Sequence, residues 1–519
     1  MKLENNYHSL TNSVFDNVIL ILKSMLVGVC AGGIAVLYRL VLGKGESFAF
    51  SLYDFVSGNL LWILLLIPIF GILAYLIGKM VDYNPMISGS GIPQIEGILK
   101  GYFLKRKSWF STLVCKFAGG AMGIAGGLSL GREGPSIQLG ANVGEAIGNR
   151  LGNGRLEKKI LIAGGASAGL AAAFNAPLAG VMFALEEIFK YFTPVILLSM
   201  MSAAVASDFI SKQIFGMQPI FELPVIQSIP LSGYGYLILL GILLGVFGAI
   251  YNYVLLRTKD LYKSLSLPTW VKIWIPFLLA IVLGITMPQV LGGGHALFEE
   301  MNSDLVLTTM IVFLLVKFLF SVISFGSGIP GGIFFPLIVL GAGIGSVYAK
   351  AIISFLGVDP ILFHNFIILA MAGYFTAIVR APLTGIILVT EMTNSLAHLL
   401  SLTVVSLVAY AVADLLKSPP VYEALLDGML DKEQGEPKES GKRIVFEILV
   451  QHESMLANKM VKDISLPEGT LLVEIRRGEY RILPKGNTKI KEGDTISVLT
   501  DVNLECCVKE ALEAQNQST

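Results

Sequence analysis

The chain is 519 residues long, 54% hydrophobic and only 15% charged, with 55 glycines and a mean hydropathy of +0.71. Soluble globular domains do not reach that combination, so an integral membrane protein is implied. Basic and acidic side chains number 38 each, a balance that offers no global field to a nucleic acid polymer.

Residues 1–17 are polar and carry no small-residue cleavage signal, which reads as a cytosolic lead-in rather than a signal peptide. A transmembrane region follows over residues 18–430, with apolar stretches at Val18 to Leu42, Leu60 to Ile77, Tyr236 to Leu255, Val271 to Ile285, Leu305 to Ile323 and Ile361 to Leu416. Some approach the ~20 residues a span requires and many are shorter, which excludes a bundle of uniform helices. Apolar segments interrupted by glycine and proline are tolerated at membrane depth where they are buried in protein or line a watery cavity, as in transporters. Residues 431–441 have no apolar side chain and read as a linker. In residues 442–519, short β-type runs at Ile444 to Val450, Leu471 to Arg476, Tyr480 to Leu483 and Thr495 to Leu499 precede a helix at Leu504 to Ala514. The expected fold class is therefore an all-α polytopic membrane protein with broken helices, followed by a small soluble α+β domain.

The membrane region repeats internally. Gly131-Arg-Glu-Gly-Pro-Ser-Ile-Gln-Leu-Gly-Ala-Asn-Val-Gly144 overlays Gly332-Ile-Phe-Phe-Pro-Leu-Ile-Val-Leu-Gly-Ala-Gly-Ile-Gly345, and Ala176-Pro-Leu-Ala-Gly180 with Glu186 overlays Ala381-Pro-Leu-Thr-Gly385 with Glu391. Two matches in the same order at nearly equal offsets define two homologous halves. Hydropathy leaves open whether these are parallel or inverted. In transporters the solute site lies where such halves meet.

Three glycine-rich segments precede helical runs: Gly89-Ser-Gly-Ile-Pro93, Gly131-Arg-Glu-Gly-Pro135 and Gly326-Ser-Gly-Ile-Pro-Gly-Gly-Ile-Phe-Phe-Pro336. Glycines free the backbone and proline suits the first helical turn, so unpaired N–H groups at the positive end of a helix dipole would face an anion. Partial charges of this kind bind a dehydrated anion without holding it too tightly to leave. Ser90 could add a hydroxyl. Glu133 lies inside one such segment, where a carboxylate at membrane depth costs about 2.5–3.5 kcal/mol, and this marks it as functional. Ala163 to Ala173 reads as close helix packing. Lys116 and Lys317 are lone intramembrane lysines that could bias the field toward anions, with snorkelling to an interface the expectation for Lys317. Cys30, Cys115, Cys506 and Cys507 form neither a metal spacing nor a disulfide framework, and no cofactor or metal is implied.

The motifs G-S-G-I-P, G-R-E-G-P, F-N-A-P-L-A-G with a trailing E-E, G-I-F-F-P and a late tyrosine resemble the CLC family of chloride channels and chloride/proton antiporters, over about Val18 to Leu426. The resemblance implies a homodimer with one anion pathway per subunit, built from inverted halves, in a bacterial cell membrane. It also implies that Ser90 and Tyr422 supply hydroxyls to a central chloride, with backbone N–H groups of Ile333 and Phe334 completing the shell. Backbone groups around Arg132 and Gly134 would form an outer site, and Gly89 with Ser90 an inner one. Glu133 matches the family's external gating glutamate. Its ionised side chain competes with chloride for the same N–H groups, which links proton uptake to anion entry. Glu187, the second carboxylate of Phe174-Asn-Ala-Pro-Leu-Ala-Gly-Val-Met-Phe-Ala-Leu-Glu-Glu187, matches the internal proton-transfer glutamate of the antiporters. Glu186 and Glu391 read as structural. Serine at position 90, where nitrate-preferring relatives carry proline, points to chloride.

The C-terminal region resembles the C-terminal domain of potassium-conductance regulators. That resemblance implies a cytosolic regulatory domain that pairs with its twin, with a small-ligand site such as one for cyclic di-AMP lined by Leu472, Arg476, Arg477, Ile482 and Pro484. The favoured expectation is a secondary active chloride/proton antiporter and not an enzyme. A passive gated chloride channel of the same family is the alternative. A membrane-embedded enzyme using Glu133 and Glu187 as an acid/base pair lacks a nucleophile, a metal cluster or a phosphate loop.

Overall fold

A computed structural model of the protein describes residues 6–58, 61–103, 106–190, 192–218, 220–221, 229–301, 305–430, 443–451, 454–478, 480–501 and 504–516. The expected linker at 431–441 lies outside the described residues. The chain forms two compact units, one of residues 1–99 and 105–426 and the other of residues 100–104 and 427–519.

The first unit is helical. Among the described residues, eight helices are long and apolar enough to cross a membrane, from Asn17–Ser57 to Pro360–Val379, and Trp109–Ala125, Pro382–Thr393 and Leu399–Leu415 are shorter apolar helices. The protein is an integral, multi-pass membrane protein. Within the lead-in, the described residues from Asn6 onward belong to the first helix, Asn6–Ser57. The long apolar stretch expected over Ile361 to Leu416 is cut twice. One cut follows from local chemistry: Arg380 adopts the left-handed conformation (φ 70°) after the helix Phe363–Val379, and Ala381-Pro382 starts the next. The first half does the same with Asn175 (φ 51°) between Arg155–Phe174 and Pro177–Phe183. Proline at the first helical position loses no hydrogen bond, so an Ala-Pro step restarts a helix cheaply.

Helix pairs in each half approach on glycine. Between Glu133–Leu151 and Arg155–Phe174, a Cβ added at Gly140 would stand 2.1 Å from the Gly165 carbonyl oxygen, and one at Gly165 the same distance from the Gly140 oxygen. Their counterparts, Phe334–Leu356 and Phe363–Val379, meet where a Cβ at Gly345 would fall 2.7 Å from the Phe366 oxygen. With lipid as apolar as the side chains, such backbone approach supplies the packing that holds helices together. The halves also exchange bonds. Glu186 accepts from the Leu383 and Thr384 N–H groups (3.2 and 2.8 Å) and the Thr384 hydroxyl (2.8 Å). Glu391 in return accepts from the N–H groups of Leu178 and Ala179 (3.1 and 2.8 Å). Each carboxylate thus caps the start of a helix in the other half, the two-fold exchange expected of homologous halves.

The second unit is an α+β domain. Four antiparallel strands, β1 (Arg443–Leu449), β2 (Leu471–Arg477), β3 (Tyr480–Ile482) and β4 (Thr495–Asp501), lie in the order β1-β4-β2-β3, with the helix Glu505–Asn516 following. Phe446, Ile448, Ile475, Ile496 and Val498 form its core with Val508 and Leu512. Asp494 accepts from Arg477 Nε and Nη2 (both 2.8 Å) and from the Lys491 N–H (2.8 Å). Burial pushes this carboxyl upward, but the Arg477 and Lys491 contacts outweigh it and hold the group below its ordinary value. Its stabilising contribution is therefore complete above the ordinary carboxylate range and is lost as pH falls below that range. Asp494→Asn is expected to destabilise the domain by about 1.5–3 kcal/mol at neutral pH and to flatten this acid limb, as read by thermal unfolding of the full-length protein against pH.

Candidate functional site

Backbone pairing brings the three glycine-rich segments of the sequence to one place. The Gly89 N–H donates to the Ile329 oxygen (3.2 Å) and the Gly331 N–H to the Gly89 oxygen (3.0 Å), while Gly131 and Gly332 exchange two bonds of 2.6 and 2.8 Å. The helices that start beside these bridges are Ile92–Lys100, Glu133–Leu151 and Phe334–Leu356. The last two have Arg132 and Ile333 as N-cap residues, and neither start receives a side-chain cap. Their first N–H groups, including those of Gly134 and Phe334, have no partner within the helix. Pro135 and Pro336 stand in the first turns, where a missing N–H costs nothing.

Ser90, Gly134 and Gly332 are packed together. A Cβ at Gly134 would fall 2.5 Å from Ser90 Oγ and 3.3 Å from the Gly332 Cα, so only glycine leaves the serine hydroxyl in place. Tyr422, fully buried on the helix Val421–Leu430, directs its hydroxyl toward Ser90. The two hydroxyls close no ordinary hydrogen bond with each other or with any other described group. The Phe183 ring meets Tyr422 edge-on at 6.3 Å, and Phe334 packs against Phe174, Phe183 and Phe375 at 5.3, 5.6 and 4.6 Å. These rings surround the helix starts with apolar surface, and partial charges act most strongly in such surroundings. Gly89, Ser90, Gly134, Ile333, Phe334 and Tyr422 therefore converge.

Glu133 is wholly buried at the same meeting point. The N–H groups of Glu133 and Phe335 face its carboxylate, and Arg132 Nε stands 3.5 Å from Oε1. Among the described residues, no ordinary hydrogen bond closes on either oxygen. Arg132, Glu133, Gly293, His295, Phe335 and Glu46 line a cavity on this side.

Glu187 lies elsewhere. It sits in a π-helical turn, Ala184–Phe189, that ends on Lys190 in the left-handed conformation (φ 53°). The carboxylate is 4% exposed, and Lys190, Glu96, Glu423 and Glu186 are the charges that act on it. Single π-turns inside helices recur at functional sites.

Lys317 corrects the sequence-based expectation, and Lys116 shares its arrangement. Lys317 does not snorkel: it is wholly buried and donates to the carbonyls of Val290 and Gly292, both at 2.9 Å. Lys116, also wholly buried, does the same to Ile87 and Gly89 at 2.9 and 2.6 Å. The physical reason is that each loop carries carbonyls pointing inward, and an ammonium that satisfies two of them has no need of the interface. The pairing also exposes a repeat element that the sequence reading missed. Lys116 and Lys317 precede Gly131 and Gly332 by the same interval, and Pro85 to Gly91 corresponds to Pro288 to Gly294. Both loops begin in a 3₁₀ turn, Pro85–Ile87 and Pro288–Val290. Their glycines share positive φ, 66° and 97° at Gly89 and Gly91 against 58° and 110° at Gly292 and Gly294. The segment from Gly326 is thus the mate of the one from Ala125, and the true mate of Gly89-Ser-Gly91 is Gly292-Gly-Gly294. There the Gly293 N–H is taken by Glu46 Oε1 at 3.2 Å. The recurring Pro-x-x-x-Gly-x-Gly spacing was the available signal.

In the C-terminal domain the five residues expected to line a ligand site are divided. Leu472 turns into the core and Arg477 is engaged by Asp494 and the Lys489 carbonyl. Arg476 is exposed, while Ile482 and Pro484 are partly so.

Unpaired helix starts, small hydroxyls and a buried carboxylate at the junction of two homologous halves define a membrane transport protein for small anions. The family described as voltage gated chloride channel matches residues 70–414, and the TrkA-C domain matches residues 445–503. The chain is 37% identical over 368 residues to an H(+)/Cl(-) exchange transporter ClcA of Vibrio cholerae serotype O1, covering 68% of this chain and 76% of that protein. A protein of the same description from Vibrio campbellii is 34% identical over 390 residues, covering 72% and 81%. Among solved structures, a slow cyanobacterial Cl-/H+ antiporter superposes with a TM-score of 0.74 at 32% identity, covering 80% of this chain and 99% of that one. A eukaryotic CLC transporter shares the fold at 22% identity, with a TM-score of 0.67 and coverage of 79% and 74%. The chain belongs to the voltage-gated chloride channel (CLC) family, whose members move ions rather than transform substrates, and it carries a TrkA-C domain at its C-terminal end.

Proposed function

We propose that this protein is a secondary active chloride/proton antiporter of the cell membrane, working as a homodimer with its C-terminal domain in the cytosol. Chloride binds between the hydroxyls of Ser90 and Tyr422 and the N–H groups of Ile333 and Phe334, with an outer position at the backbone of Arg132 and Gly134 and an inner one at Gly89 and Ser90. Glu133 is the external gate and Glu187 the internal proton-transfer residue. The observation that carries this reading is the wholly buried Glu133 carboxylate facing the Phe335 N–H. An anion and this carboxylate want the same donor, so protonating Glu133 favours chloride entry and chloride favours its protonation. The exchange activity named for the Vibrio and cyanobacterial relatives supports the same reading.

Reconstitution into liposomes with simultaneous chloride and pH recording tests it. A chloride gradient is expected to drive protons uphill, whereas a passive channel would move chloride with no proton response. Glu187→Gln is expected to abolish proton movement while chloride flux persists. In the C-terminal domain, Arg476, Ile482 and Pro484 remain open to a small anionic ligand, and cyclic di-AMP added to the same liposomes is expected to change the exchange rate.

A further inference from the structure

Lys190 is an ammonium at which several carboxylates meet. Its ammonium is 3.1 Å from Glu96 Oε1 and is bonded to Glu423 Oε1, and it is the cation that acts on Glu187 among the described residues. Glu96, Glu187 and Glu423 act on its ammonium, while Glu186, which acts on Glu187 as well, is committed to the Thr384 helix start. The pair with Glu423 is partly open to solvent, its side chains 30% and 42% exposed. Ion pairs of that kind hold little structure together and open readily. Lys190 also closes the π-turn that carries Glu187, its N–H donating to the Leu185 oxygen at 3.0 Å. Glu423 follows Tyr422 directly on the helix Val421–Leu430. One ammonium thus joins the turn that holds Glu187 to the helix that holds Tyr422.

We propose that Lys190 is a positioning residue for the inner proton step, a shared counter-charge that sets when Glu187 takes or releases a proton and ties that event, through Glu423, to movement of the Tyr422 helix. The inference rests on the reading of Glu187 as the internal proton-transfer residue. Glu187 receives competing influences: Lys190 favours its ionised form, while Glu96, Glu423 and Glu186 favour the protonated one. When Glu423 releases Lys190, the ammonium turns to Glu187 and drives the proton off. When Glu423 recaptures it, Glu187 is left among carboxylates and takes a proton up. Because Tyr422 is adjacent to Glu423, a swing of its helix that admits chloride changes the ion pair in the same motion.

The test is coupled flux in liposomes across a series of internal pH values. Lys190→Met is expected to move half-maximal proton flux to higher internal pH by about one unit, a tenfold change in proton affinity, with chloride turnover retained. Glu423→Gln removes a negative neighbour and is expected to move the profile the opposite way, to lower internal pH. Lys190→Arg keeps the charge and is expected to restore the wild-type profile. A purely structural role would not produce shifts of opposite sign with rescue by arginine. Profiles of Lys190→Met and Glu423→Gln that coincide with wild type, while Glu187→Gln is proton-dead, overturn this proposal alone. Proton flux persisting in Glu187→Gln overturns the underlying reading and this proposal with it. Should Lys190→Met fail to assemble, the Glu423→Gln shift decides, since that side chain lies on the open side of the pair.

Discussion

Replacing Glu133 by glutamine is expected to abolish proton movement in reconstituted liposomes while chloride continues to flow, at a rate that no longer responds to external pH. The fall in proton flux should be at least about a hundredfold, the usual weight of a positioned proton-transfer group. Glutamine keeps the volume and the carbonyl of the native side chain but cannot ionise, so it no longer competes with chloride as an anion for the Phe335 N–H. The side chain is wholly buried, and among the described residues the charge within ion-pair distance of it is Arg132, at 3.5 Å. Truncation would open space beside Pro336 and Phe335, which a Cβ at Gly131 would already approach at 3.1 and 3.2 Å. The isosteric change is therefore the informative one. Proton movement surviving in this variant would remove Glu133 from the exchange path and leave the buried carboxylate without a role in it.

The second large effect is structural. Gly165→Ala is expected to lower the unfolding free energy of the membrane unit by at least the 1–3 kcal/mol usual for overpacking, and to lower chloride flux with it, as read by thermal stability in detergent beside flux in liposomes. The added methyl would meet the Gly140 oxygen at 2.1 Å and the Gly144 nitrogen at 3.1 Å. Both are main-chain atoms of the helix Glu133–Leu151, and neither can rotate aside as a side chain would. That helix must move as a body, and its first residue is Glu133, so loss of stability and disturbance of the proposed gate arise from one methyl group. A contrasting site is Gly154, where an added Cβ would meet nothing within 4 Å, and Gly154→Ala should leave chloride flux unchanged and cost no more than the roughly 1 kcal/mol typical of an N-cap change.

Much of this was legible in the residues because the chemistry is backbone chemistry. Glycine and proline placements around Gly89, Gly131 and Gly332 specify helix starts, and those starts are what converge. The strands of the C-terminal domain were readable because β-branched and apolar runs such as Ile444 to Val450 stand between turn residues, and their observed bounds differ by at most two residues. Two other features were not legible. Lys317 lies in an apolar helix whether it snorkels or turns inward, and only the fold shows the Val290 and Gly292 carbonyls waiting for it. The Lys190 cluster gathers Glu96, Glu187 and Glu423 from three distant parts of the chain, and no local period announces a meeting of that kind. In the tail, a register irregularity between Leu472 and Glu474 lets Leu472 and Ile475, three residues apart, both face the core, which strict alternation along β2 does not predict.

The exchange of caps between Glu186 and Glu391 bears on how the protein is made. The N–H groups of Leu178 and Ala179 find their acceptor 213 and 212 residues later in the chain, so when the first half has left the ribosome its short helix Pro177–Phe183 still lacks the cap that Glu391 supplies. Those groups cost free energy until Glu391 is synthesised and inserted. The first half therefore waits, incompletely settled, and the second completes both halves at once when Glu186 and Glu391 cross over. Maturation in the bilayer should then be a single late event that follows insertion of residue 391, and a chain interrupted before that point should be recognised by the cell's quality control as unfinished, however many of its helices already span the membrane.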